Sequence, residues 1–269
     1  MENLQIAIEK ARANRKENAA RPQATPMATS TIEQNWHAFP ELAIDPSTLI
    51  SKRVMTQKSN AHSSHYDMLR TRIRDQAKKN NWRRIAIVSA GPQVGKTTTL
   101  ANLAFSFGRL PYFKTMVFDF DLRRPSLQNL INHHPTTQVN DVIEGRVPFE
   151  AHCRRVGDNL AFSLNSQHVA NSAELLQSDS MSDFLSGIQD TYDPELMLFD
   201  TPPLLAADDT RGFLSNIDAA LLIVEAERTP IDQIDVVEQQ LSELTNVLGV
   251  VLNKCNYPDP TSSANYAYY

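Results

Sequence analysis

From Arg84 onward the chain alternates compact apolar runs with longer amphipathic stretches. The runs occupy residues 85–88, 116–118, 160–164, 196–199, 219–224 and 247–252. Helical spacing fills most of the gaps between them, as at residues 98–109, 173–188 and 231–244. Within each run the hydrophobicity is continuous. A strand with one wet face would alternate instead, so these strands are expected to be buried on both sides. The pattern predicts an α/β fold with a doubly wound, mostly parallel sheet and helices on both faces.

The first part of the chain reads differently. Residues 2–18 fit a short amphipathic helix with Leu4, Ile8 and Ala11 on one stripe. Residues 19–60 hold Pro22, Pro26, Pro40 and Pro46 without a sustained period, which suggests an extended linker or surface arm. A second helix is expected to begin near Ser64, whose spacing to Asp67 resembles a capping box, and to end before Asn80. Leu69, Ile73 and Ala77 would share its buried face. The chain thus divides into a helix and arm over 1–60, a main domain over 61–254 and a tail over 255–269.

Composition narrows the function classes. Hydrophobic residues make up 41% and charged residues 21%, as in ordinary globular proteins. The formal net charge of −5 carries no basic footprint for nucleic acid. A spanning helix needs roughly 20 apolar residues, and the longest clean run is residues 219–224. The first residues lack the basic-then-apolar layout of a secretory signal. A cytoplasmic protein is therefore expected, with Cys153 and Cys255 as reduced thiols.

The chemistry begins at residues 85–99, IAIVSAGPQVGKTTT: a strand, a tight loop and a helix start. They fit the phosphate-loop pattern G-x-x-x-x-G-K-S/T with Ala90 in the first position. Ala90, Gly91, Pro92, Gln93, Val94 and Gly95 would form the cradle, whose N–H groups and helix dipole attract anions. Lys96 would reach the β- and γ-phosphates, Thr97 would hold Mg²⁺, and Thr98 would add a further phosphate contact.

Two later strands end in carboxylates, where an open α/β sheet places its ligand crevice. Asp119 and Asp121 follow the strand near residue 117, and Asp200 closes the strand over 196–199. All three are candidate metal ligands and catalytic groups beside a phosphate loop. Arg123 and Arg124 are candidates to hold phosphate charge.

Gly-Lys-Thr, then Phe-Asp-Phe-Asp-Leu-Arg-Arg-Pro, then Leu-Phe-Asp-Thr-Pro-Pro, then clustered tyrosines resembles the bacterial tyrosine kinases. These are the capsule and exopolysaccharide autokinases built on a P-loop ATPase core. Residues 172–178 and 249–253 resemble further family segments, which brings Asn253 into the candidate nucleotide site. The resemblance implies ATP and Mg²⁺ as cofactors, with Lys96 and Thr97 in the Walker A motif. It makes Asp119 and Asp121 a second Walker motif and Asp200 the Walker B carboxylate. One of Asp119 and Asp121 would orient the tyrosine hydroxyl or take its proton. It also implies trans-phosphorylation within a homo-oligomer, a membrane-embedded polysaccharide co-polymerase as activating partner, and a peripheral place at the inner face of the plasma membrane.

Two departures stand out. Family members carry E-x-x-R-x-x-R in the helix before the first strand; with Arg70 as its last arginine, Ser64 and Asp67 fill the other slots. The ring contact of that motif is therefore not carried over. Septum-site and partitioning ATPases have a second lysine inside the loop, where this chain has Gly91.

Tyr257, Tyr266, Tyr268 and Tyr269 lie in a polar, Pro-containing terminal stretch and are the expected phosphate acceptors. Tyr66, Tyr112 and Tyr192 are expected to be packing residues. An autokinase is the favoured reading. A spatial-positioning ATPase and a non-enzymatic ATP-binding adaptor of a polysaccharide-export complex are the alternatives.

Overall fold

The computed structural model describes residues 26–60 and 63–256. The helix expected over 2–18 and the tyrosine cluster Tyr257, Tyr266, Tyr268 and Tyr269 lie outside the described residues.

Each apolar run becomes a strand. They are β1 (Arg84–Ser89), β2 (Thr115–Asp119), β4 (Leu160–Ser163), β5 (Leu196–Asp200), β6 (Ala219–Glu225) and β7 (Asn246–Asn253). A short antiparallel edge strand, β3 (Arg154–Val156), was not legible because its two arginines break any apolar run. The seven strands lie in the order β3-β4-β2-β5-β1-β6-β7, and every pair except β3–β4 is parallel. The chain leaves β1, skips one position to β2, and returns later to insert β5 between them.

β7, expected to be buried on both sides, is partly exposed, with Val250 46% and Leu252 58% accessible, because it forms the edge of the sheet. For the inner strands double burial has a simple reading in the side chains. On β1, Ala86 and Val88 enter one core while Ile85 and Ile87 enter the other. Met197 and Phe199 of β5 likewise oppose Leu196 and Leu198. Period-two geometry thus feeds two cores, one on each side of the sheet. One is covered by α3 (Ser64–Asn80) and α4 (Lys96–Gly108), the other by α9 (Asp179–Tyr192) and α11 (Ile231–Leu244).

Several expectations need correction. The described part of the segment read as an extended arm contains α1 (Pro26–His37) and α2 (Pro46–Ser51). Trp36 and Phe39 enter one core, Leu49 and Val54 the other, all at most 1% exposed. Phe39 packs against Phe149 and Tyr192 with ring centroids 5.5 and 4.7 Å away. These apolar residues dock singly on different surfaces, so they leave no period.

The helix begins at Ser64 as expected and runs on through Asn80, but the expected capping box does not form. The N-cap of α3 is Ser63, whose Oγ donates to Asp67 Oδ2 at 3.2 Å without capping a helix N–H, while Asp67 Oδ1 accepts from Ser106 and Arg109. The single helix expected over 173–188 is two, α8 (Ser172–Leu176) and α9, because Ser178 caps α9 by accepting from Met181 N at 3.2 Å. Tyr66 and Tyr192 do pack, but Tyr112 is 94% exposed in a turn with φ 61°. Neither Cys153 nor Cys255 forms a disulfide among the described residues.

Candidate nucleotide site

β1 and α4 bracket the phosphate loop at the carboxyl edge of the sheet. Gly95 is the N-cap of α4 with φ 90°, a region that disfavours any Cβ. A Cβ there would also meet Asn253 Nδ2 at 2.3 Å. The Asn253 amide is held in that place because it donates to Val94 O at 2.7 Å. Next to it, Lys254 Nζ donates to Gln93 O at 2.7 Å and pairs with Glu225 at 3.1 Å. The end of β7 therefore supports the loop from behind. On the other flank, Ser89 Oγ donates to Gly91 O at 2.8 Å.

The loop floors a cavity of about 870 Å³. Of the candidate residues, Pro92, Gln93, Gly95, Lys96, Thr97, Thr98, Asp121, Arg123 and Arg124 line it. Ala90 and Val94 are buried beneath the loop, and Asn253 stands behind it. Arg123 is engaged with Asp209, its Nε 2.9 Å from Oδ2, so its charge is already matched.

Asp119 and Asp200 face one another in register across the β2–β5 pair. Asp200 receives Lys96 Nζ on Oδ1 at 2.5 Å and Thr97 Oγ1 on Oδ2 at 2.6 Å. Asp119 Oδ2 accepts the backbone N–H of Ser126 at 3.2 Å and of Leu127 at 3.0 Å, while its Oδ1 is buried without a partner. Ser126 Oγ in turn donates to Thr97 Oγ1 at 3.2 Å. Both carboxylates are fully buried, at 0% exposure, so the region is dry.

That dryness governs the electrostatics. Burial, then the neighbouring charge of Asp200, push the Asp119 carboxyl well above the ordinary range. Burial also raises Asp121, with Lys96 acting in the opposite direction. Ser126 and Asn165 were missed in the sequence: Asn165 Nδ2 holds Asp119 O at 2.6 Å, and its Oδ1 accepts Val139 N at 2.8 Å. Neither residue belongs to a recognisable local pattern.

The residues fit a metal-bound triphosphate. Gly95 leaves room against the backbone, α4 opens toward the cavity, and the Asp119 Oδ1 orphan awaits a donor or cation. Among the described residues, no three His, Cys, Asp or Glu side chains gather closely enough to cage an ion. Mg²⁺ suits such a site, since it retains water and relies on few protein oxygens.

Residues 85–267 match the CobQ/CobB/MinD/ParA nucleotide binding domain. The tyrosine-protein kinase YwqD of Bacillus subtilis is 28% identical over 217 residues, 80% of this chain and 89% of that protein. Tyrosine-protein kinase CpsD of Streptococcus pneumoniae serotype 4 is 28% identical over 193 residues, 71% and 83% respectively. The resemblance to bacterial tyrosine kinases seen in the motifs is thus found again along most of the chain. The chimerical protein CapA2B2 shares the fold at TM-score 0.69 and 21% identity, covering 83% of this chain and 97% of that one. A phosphate loop beside paired strand-end carboxylates, in a sheet of this order, accords with the matched domain, and the chain belongs to the CobQ/CobB/MinD/ParA nucleotide-binding family.

Proposed function

We propose that the chain is an ATP- and Mg²⁺-dependent protein-tyrosine autokinase that phosphorylates Tyr257, Tyr266, Tyr268 and Tyr269 in trans. The observation that carries this reading is the register-matched Asp119–Asp200 pair beside Lys96 and Thr97, with Asp121 lining the open cavity next to it.

Phosphoryl transfer depends mainly on positioning and charge stabilisation. Lys96 can exchange Asp200 for the β- and γ-phosphate oxygens. Bound Mg²⁺ would neutralise phosphate charge from the Thr97 hydroxyl, with Asp119 and Asp200 behind it. The acceptor phenol oxygen bonds to the γ-phosphorus, the bond to the β-phosphate oxygen breaks, and ADP leaves. Asp121 would take the phenolic proton; this is supported by its lining the cavity and by burial, which makes it a stronger base than a solvated aspartate. Asp119 is fully buried and committed to two backbone N–H groups, which suits metal positioning better.

The motif resemblance supports a role in exopolysaccharide or capsule synthesis, working with a membrane-embedded co-polymerase that activates the kinase. No helix among the described residues is long and apolar enough to cross a membrane, consistent with recruitment through such a partner.

The test is mass spectrometry of the protein after incubation with ATP and Mg²⁺, with and without an activator's cytoplasmic segment. Phosphotyrosine should accumulate at the terminal cluster and vanish in Lys96→Met. Labelling that survives this substitution would overturn the assignment of the site. Phosphate release without labelled tyrosine would favour the spatial-positioning ATPase instead, and binding without turnover the adaptor.

A further inference from the structure

We infer that Arg53 is a ligand for the phosphates of the bound nucleotide, supplied by the segment that precedes the nucleotide-binding sheet. This inference rests on the cavity being a nucleotide site. Arg53 follows α2 directly and lines the cavity with Lys96, Thr97 and Thr98. Its φ is 64°, the left-handed position at which α2 ends, closed by Arg53 N donating to Ile50 O and Val54 N to Leu49 O, both at 2.9 Å.

The phosphate-loop helix anchors this helix end. Asn102, fully buried on α4, donates through Nδ2 to both Arg53 O and Thr98 O at 2.9 Å. Its Oδ1 accepts Met55 N at 2.8 Å, and its carbonyl accepts Thr56 Oγ1 at 2.6 Å. One buried residue therefore ties the Arg53 backbone to the helix that opens with Lys96. From the other side, Lys52 Nζ contacts Asn129 O and lies 3.3 Å from Asn132 Oδ1; Asn129 also lines the cavity. The Arg53 position is thus clamped between two walls of the site.

Charge completes the case. Lys96 is paired with Asp200, Arg123 with Asp209 and Lys254 with Glu225. The guanidinium groups of Arg53 and Arg124, which both line the cavity, form no salt bridge among the described residues, and of the two Arg53 is the one brought in from outside the nucleotide-binding sheet. A guanidinium offers a planar array of donors that matches phosphate oxygens, and a restrained backbone lowers the entropy lost on binding.

Isothermal titration of the full chain with Mg-ATP and with Mg-ADP tests the inference. Arg53→Gln should weaken both by about tenfold or more, and Arg53→Lys should fall between it and the parent protein. The melting temperature of the nucleotide-free variants should not change. Affinities of Arg53→Gln within twofold of the parent would overturn the inference and leave the kinase reading intact. A weaker affinity accompanied by a lower nucleotide-free melting temperature would assign Arg53 to the fold instead. Failure of the parent protein to bind either nucleotide would bring down the nucleotide site itself.

Discussion

Gly95→Ala, paired with Asn253→Ala, probes how the loop is held. The new Cβ would enter a backbone of φ 90° and come 2.3 Å from Asn253 Nδ2. Left-handed backbone costs an L-residue roughly 1–2 kcal/mol. The amide must also move, losing its 2.7 Å hydrogen bond to Val94 O. Such a bond contributes about 1 kcal/mol net. Gly95→Ala should therefore destabilise by about 2–3 kcal/mol and Asn253→Ala by about 1 kcal/mol. In the double variant the collision is gone and the bond is lost only once. Its destabilisation should fall short of the summed singles by about 1 kcal/mol. Denaturant melts of all four proteins measure this coupling, and titration with ATP follows the loop. Additivity to within about 0.5 kcal/mol would refute the reasoning, because the two residues would then not share a contact.

Two further predictions concern parts of the fold outside the loop. Phe39→Ala should destabilise by about 3–5 kcal/mol, seen as a fall in Tm of roughly 6–20 °C, because Phe39 is a core side chain. A change of under about 1 kcal/mol would mean that the preceding segment does not dock as described. His152 sits between Thr137 Oγ1 at 3.0 Å and Ser163 Oγ at 2.9 Å, and burial first, then Arg154, depress its pKa to about 4. Since the unfolded value is about 6.5, the unfolded chain takes up the proton first as pH falls. Stability from this residue is therefore complete above about pH 6.5 and declines toward pH 4, by up to about 1.4 kcal/mol per pH unit. His152→Gln should flatten that part of the stability profile; an unchanged slope would reject the assignment.

The buried strands were legible because a strand covered on both faces must be apolar at every position. The phosphate loop was legible because its chemistry needs contiguous residues: Gly95 for backbone approach, Lys96 for charge and Thr97 for a metal. Asp119 and Asp200 could be nominated because each ends such a strand. Their shared register is a property of the sheet order, since β5 must return to lie between β1 and β2. Only the folded chain could reveal that Asp119 Oδ1 is orphaned and that Arg123 is occupied by Asp209.

What the sequence determined by itself is the layered α/β sheet and the loop that addresses phosphate, because both are encoded by neighbours in the chain. Tertiary structure decided how residues 26–60 are used, how Asn253 supports Gly95, and where Arg53 points its charge. Those relations join residues far apart in sequence through single side chains, such as Asn102 to Arg53 and Asp67 to Arg109. A solitary docking residue leaves no period to read, so its role exists only once the surfaces it joins have formed.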